Sequence, residues 1–307
     1  MEYKSSFGKW EERASVRVKP RRVLDGALEG ITFFPPELVS AASHPLIEGA
    51  GQPGARHRLL LQQLYNYLCF TTDLETAAVI PVVARIGSGS SGLDLPPSME
   101  SDAFKISTDE AWHAQFSRDL VDQLEAHTGV ARLRVGAPAF LGRLRGIRMT
   151  SERHLRGVDD LLFAVVSETL VSTLLSDLPK DRRLPRPVRE VVADHAEDEG
   201  RHHAYFRDFL RYLWSALDAR QRSAAGVLAP RLIRAFLEPD YTFLGAALLD
   251  IGLTRDEVAQ VLVESYPADR LALDIRQASR ATVRYFKEVG AVRDPATGDA
   301  FQEAGLL

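Results

Sequence analysis

Four long stretches of this sequence have the apolar period of buried helices, and each breaks its apolar stripe with carboxylates or imidazoles. In the last, the stripe runs Val188, Val192, His195, Glu199, His202, Phe206, Phe209, Leu213 in steps of four and three. In the second it runs Ile106, Glu110, His113, Ser117, Leu120, Leu124, so Glu110 and His113 share one inward face. The first (Leu64, Leu68, Glu75, Val79, Val82) and the third (Leu161, Val165, Glu168, Ser172, Leu175) carry one glutamate each. Four glutamates thus point at one interior. Burying a bare carboxylate costs several kcal/mol, so these must be protonated, paired with cations or bound to metal. No lysine occupies the stripes.

The periodic stretches cover about 56–86, 100–127, 152–178 and 187–217, each bounded by proline or glycine. A shorter apolar stretch lies near 136–148, and 219–237, 241–252, 255–265 and 268–289 read as further helices. Strand alternation is scarce. Residues 1–54 are punctuated by Pro20, Pro35, Pro36, Pro45 and Pro53, which suits an extended arm or short helices rather than a core. We read 1–307 as one domain, with an arm at 1–54, a core bundle at 55–217 and accessory helices at 218–307. Gly87, Gly89 and Gly92 match a dinucleotide fingerprint only formally, because Leu93 to Pro97 cannot open a helix behind them, and a loop is expected. Cys69 is the only cysteine, which excludes an intrachain disulfide and a thiolate cluster, so any metal takes oxygen and nitrogen ligands. A net charge of −4 gives no general attraction to nucleic acid or to anionic membranes. With no apolar run of membrane-spanning length, a cytoplasmic location is expected.

The order Glu, Glu-x-x-His, Glu, Glu-x-x-His over four helices is the ligand pattern of carboxylate-bridged di-iron bundles. The expected fold is therefore all-α, a ferritin-like four-helix bundle with additional N- and C-terminal helices. Glu75 and Glu110, and likewise Glu168 and Glu199, are each a helix hairpin apart, which implies two similar halves about a pseudo-twofold axis. Asp109 and Asp198 immediately precede the two Glu-x-x-His glutamates, and are expected to orient the ligand histidines crosswise, Asp109 to His202 and Asp198 to His113. Arg201 is either a surface arginine or a partner of a buried carboxylate. Gly200, inside a helix, admits close packing, a bulge or mere tolerance. His203, His44, His57, His127 and His154 are not read as ligands.

The spacing His195-x-x-x-Glu199-x-x-His202 adds a third histidine one turn before the last glutamate, and in this the sequence resembles the ferritin-like di-iron N-oxygenases of the p-aminobenzoate N-oxygenase family, over roughly 55–215. The resemblance implies seven ligands, Glu75, Glu110, His113, Glu168, His195, Glu199 and His202, holding two iron ions, with manganese also compatible with mixed carboxylate and imidazole donors. It further implies dioxygen as co-substrate, an external electron donor (an electron-transfer protein or reductase), and stepwise oxidation of a small aromatic amine, free or carrier-bound, to hydroxylamine, nitroso and nitro products in antibiotic biosynthesis. A homodimer is expected. Tyr67, Phe70 and Thr71, in the two turns before Glu75, are expected to line the substrate channel. The alternatives are a hydroxylase or desaturase on the same scaffold, or a non-catalytic iron-binding protein.

Overall fold

The computed structural model describes residues 2–26, 30–48, 54–174 and 177–307, and among these there is no strand. Short helical turns α1 (Trp10–Arg13), α2 (Ser15–Val18) and α3 (Pro45–Glu48) precede the bundle. Helix α4 (Ala55–Leu74) continues through a π-helical turn at Glu75–Val79 into α5 (Ile80–Gly87). Then follow α6 (Pro97–Thr128), α7 (Ala139–Thr150), α8 (Val158–Leu174) and α9 (Arg186–Ala216). The chain ends in α10 (Ala219–Leu237), α11 (Tyr241–Asp250), α12 (Arg255–Ser265), α13 (Ala268–Ala278), α14 (Arg280–Glu288) and α15 (Pro295–Glu303).

The boundaries follow local chemistry. Helix α6 opens on Pro97, whose missing N–H costs nothing at a first helical position, and stops at Gly129 in the left-handed conformation (φ 66°). Asp218 and Gln221 form a reciprocal capping box that starts α10, and Thr254 and Glu257 form another for α12. The stretch read as one helix over 268–289 is two, because the chain bends at Ser279 between α13 and α14. Gly89 (φ 69°) and Gly92 (φ 78°) lie in the loop between α5 and α6.

Two hairpins make the bundle: α4–α5 packs on α6, and α8 packs on α9, with α6 against α9 joining them. Helix α10 covers α8 and is in turn covered by α15. Their approach is so close at Gly226 that a Cβ there would run into the Thr297 side chain. The N-terminal residues differ from their reading as an arm outside the core. They do form short helices, yet Phe7, Trp10, Ala14, Leu24, Phe33, Phe34, Val39 and Ile47 are buried in the same apolar cluster as the bundle. Proline and glycine frequency reports irregular backbone and says nothing about burial. The continuous helix Ala55–Gly87 is long and apolar enough to cross a membrane by composition, but it packs on α6 and carries Glu75 into the interior.

Candidate metal centre

Each bundle helix delivers its polar residues to one point. Glu75 is the first residue of the π turn, where one extra residue per turn locally shifts the register of the helix. Pro81, just beyond, cannot donate a helical hydrogen bond and its ring crowds the preceding turn, so loosened helix is tolerated there. Helix α6 supplies Asp109, Glu110 and His113, α8 supplies Glu168, and α9 supplies His195, Asp198, Glu199 and His202. All are buried, none of the seven expected ligands exceeding 2% exposure. The side chains of Ser172 and Leu175, on the third stripe, lie outside the described residues.

The seven side chains form two overlapping groups. Glu75, Glu110, His113, His195 and Glu199 bring ligand atoms within 4.8 Å of one another, as do Glu110, Glu168, Glu199 and His202. Glu110 and Glu199 belong to both. Glu110 sets Oε2 2.7 Å from His113 Nδ1 and Oε1 2.7 Å from His202 Nδ1, a bridging pose between the halves. Glu199 Oε1 lies 3.0 Å from His195 Nε2, 3.4 Å from His202 Nδ1 and 3.6 Å from His113 Nδ1. His113 and His202 turn Nδ1 inward and Nε2 outward to an aspartate. The crossed contacts are in place: Asp198 Oδ2 is 3.1 Å from His113 Nε2, and Asp109 Oδ2 is 3.2 Å from His202 Nε2. Arg201 donates to Asp198, which makes it the partner of a buried carboxylate rather than a surface arginine.

Charges in so dry a place sort themselves. Burial, then the negative neighbours Glu110, Glu168 and Glu199, pushes Glu75 well above the ordinary carboxylate range; burial, Glu199 and Glu110 do the same to Glu168. Burial opposes a charge on His113, but Glu110 and the hydrogen bonds to Asp198 and Glu110 outweigh it and raise the imidazole to about 10. Against the same burial, Glu110 and Glu199 raise His202, and though burial opposes it, His202 with His113 holds Glu110 down and His202 with His195 holds Glu199 down. His195 is lowered by burial and by the His113 charge, so it stays neutral. These shifts favour positive charge on His113 and His202 beside negative charge on Glu110 and Glu199, and disfavour negative charge on Glu75 and Glu168. Even so, Glu75 Oε2, Glu168 Oε2 and Glu199 Oε2 are buried without a hydrogen-bond partner, while Glu110 Oε1 and His202 Nδ1 face each other at 2.7 Å as an ion pair. Each such orphan costs about 1–3 kcal/mol, and three carboxylate oxygens left so in one pocket beside inward imidazoles are the kind of donors that divalent cations satisfy.

Sequence reading missed the residues behind the aspartates. Trp10 Nε1 donates to both oxygens of Asp109 at 2.9 Å, and the Ser15 amide donates to Asp198 at 3.2 Å. A lone tryptophan in an irregular segment has no period to place it. Of the expected channel residues, the Tyr67 hydroxyl is buried without a hydrogen-bond partner, and burial, then the charges of Glu199 and Glu75, raises it above the ordinary phenol range. Thr71, buried, bonds to the Tyr67 carbonyl. Phe70 instead packs edge-on against Phe140 and Phe236 and lines a cavity of about 300 Å³ with Cys69 and Arg132, which shares no residue with the cluster. Its position five residues before Glu75 places it on the far side of α4. Gly200 is exposed, and a Cβ there would meet nothing within 4 Å, so neither crowding nor a bulge requires it. His203 bonds to the Tyr285 hydroxyl at 2.7 Å, His44 to Glu264 at 2.9 Å and His127 to the Gln123 carbonyl at 2.9 Å, all outside the cluster.

Residues 26–290 match the family described as P-aminobenzoate N-oxygenase AurF. A curated relative, the 4-aminobenzoate N-oxygenase of Streptomyces thioluteus, is 24% identical over 261 residues, covering 83% of this chain and 76% of its own. The family match begins after α1 and α2, so Trp10 and Ser15 precede it. With most of its length matched and a buried glutamate and histidine cluster at its centre, the chain belongs to the p-aminobenzoate N-oxygenase family.

Proposed function

We propose that this protein is a di-iron oxygenase that uses dioxygen to oxidise the nitrogen of a small primary aromatic amine. The observation that carries this reading is the pair of overlapping ligand groups, sharing Glu110 and Glu199 and differing by the additional imidazole of His195. When bound, two ferrous ions would supply two electrons to dioxygen in one encounter. Glu110 and Glu199, common to both groups, would be shared by the ions, Glu75 with His113 and His195 would complete one position, and Glu168 with His202 would complete the other. Asp109 and Asp198 fix the tautomers of His202 and His113, leaving Nδ1 free to ligate.

The substrate follows from the relative that acts on 4-aminobenzoate and from the pocket wall. Tyr67 and Thr71 stand on the turns before Glu75, and the unpartnered Tyr67 hydroxyl, close enough to Glu199 and Glu75 to feel their charges, would give an aromatic substrate one polar point to orient its ring. The first oxidation places one oxygen atom of dioxygen in an N–H bond to give the hydroxylamine, the other leaving as water with two protons and two electrons from an external reductant. Further dioxygen carries the hydroxylamine to the nitro level with release of water, in the service of nitro-compound biosynthesis. The test is product analysis with labelled dioxygen, a chemical reductant and a panel of aminobenzoates and aminophenyl amino acids. Labelled hydroxylamino, nitroso or nitro products are expected. Ring-hydroxylated or desaturated products alone would overturn the reading in favour of a hydroxylase or desaturase.

A further inference from the structure

We propose that the N-terminal segment is a working part of the metal centre, with Trp10 a positioning residue that fixes His202 through Asp109, and the Ser15 amide doing the same for His113 through Asp198. This rests on the reading that the cluster holds two metal ions.

Asp109 is fully buried, and among the described residues its carboxylate meets two side chains: the indole N–H of Trp10, centred on both oxygens at 2.9 Å, and His202 at 3.2 Å. Remove the indole N–H and the carboxylate is oriented by the histidine it is meant to orient. Asp198 is backed differently, by the Ser15 amide and by the Arg201 guanidinium. Trp10 is itself held in place. Its ring lies under the Arg17 guanidinium at 5.7 Å, and its backbone amide donates to the Phe7 carbonyl at 3.0 Å. Phe7 in turn lies parallel to the His202 ring, 6.1 Å between centroids and 17° between planes. One short segment therefore touches His202 on its ring face through Phe7, and on its outward nitrogen through the Trp10–Asp109 pair. Ser6 Oγ bonding to the Arg201 carbonyl, and Lys19 and Arg22 pairing with Asp194, tie both ends of the segment to α9. A segment present only to cover apolar surface would not aim its donors at the two carboxylates that abut ligand histidines.

The two halves give separable tests on the full chain loaded anaerobically with ferrous iron, read as chelator-driven iron release. Trp10→Phe keeps the aromatic packing and deletes the N–H. It is expected to release one of the two ions about tenfold faster, the low end for residues behind a ligand, and to leave the other unchanged. Because the indole acts through the carboxylate, adding Trp10→Phe to Asp109→Asn should change nothing further. Ser15→Pro deletes the amide donor, and with it a buried hydroxyl that has no hydrogen-bond partner, at a first helical position where proline is tolerated after the extended Ala14. It should loosen the other ion by a smaller factor because Arg201 remains. Wild-type release in both variants overturns the proposal while leaving the two-ion reading intact. So does equal loosening of both ions by Trp10→Phe with an additive double variant, the signature of packing alone. A wild-type protein that saturates at one ion or fewer overturns both.

Discussion

The two hairpins of the bundle supply the same pattern, a glutamate and then Asp-Glu-x-x-His, yet they are built differently. The first bends its lone glutamate into place with a π turn at Glu75–Val79, while the second keeps α8 regular and adds His195 one turn before its shared glutamate. Since each hairpin gives one shared carboxylate, the two ligand groups differ chiefly in nitrogen donors, His113 and His195 in one and His202 alone in the other, and the proposed metal positions would differ in the same way. The position with a single imidazole has fewer donors and should be the easier to strip.

The largest effect should come from removing what the halves share. Glu110→Ala is expected to abolish binding of both ions while keeping the helical circular dichroism, whereas Glu168→Ala should strip only the His202 position; equal losses in the two variants would break the distinction between shared and private ligands. Next comes the added imidazole. His195→Ala should retain the ion at the His202 position but weaken its neighbour and lose turnover, measured by metal content and product formation; unchanged chemistry would move His195 out of the ligand set. Smaller again are the crossed aspartates. Asp109→Asn and Asp198→Asn should weaken metal binding or activity roughly 10–100-fold, each at its own position, and full metal content and activity in both would show that they orient nothing. Smallest is Gly200→Ala, on α9 between Glu199 and Arg201. With open space around the new Cβ, it should stabilise the protein by about 1 kcal/mol in thermal unfolding without touching metal content; destabilisation would mean the helix needs glycine there.

The bundle was legible in the sequence because a buried helix advertises its inward face every three to four residues, so Glu75, Glu110, Glu168 and Glu199 could be placed without coordinates. The crossed aspartates followed because each sits one residue before a ligand glutamate. What escaped was whatever lacks a period. A π turn is one residue of extra winding, which leaves the stripe around Glu75 nearly unchanged. Trp10 and Ser15 belong to single-turn helices whose burial depends on docking against α6 and α9, a tertiary fact. Phe70 is close to Glu75 along the chain but about 140° around the helix from it, so its packing against Phe140 and Phe236 depends on angle rather than on sequence distance.

The most direct test is an anaerobic ferrous titration of metal-free protein, followed together with proton release in weakly buffered solution near neutral pH. Glu75, Glu168, His113 and His202 are all raised, and ligation needs them deprotonated, so binding of divalent ions should displace protons from this pocket. Saturation at two ions per chain, with protons released as each ion binds, is the expected result. Saturation at one ion or fewer, or uptake of iron without proton release, would contradict a two-metal centre built from these carboxylates and imidazoles.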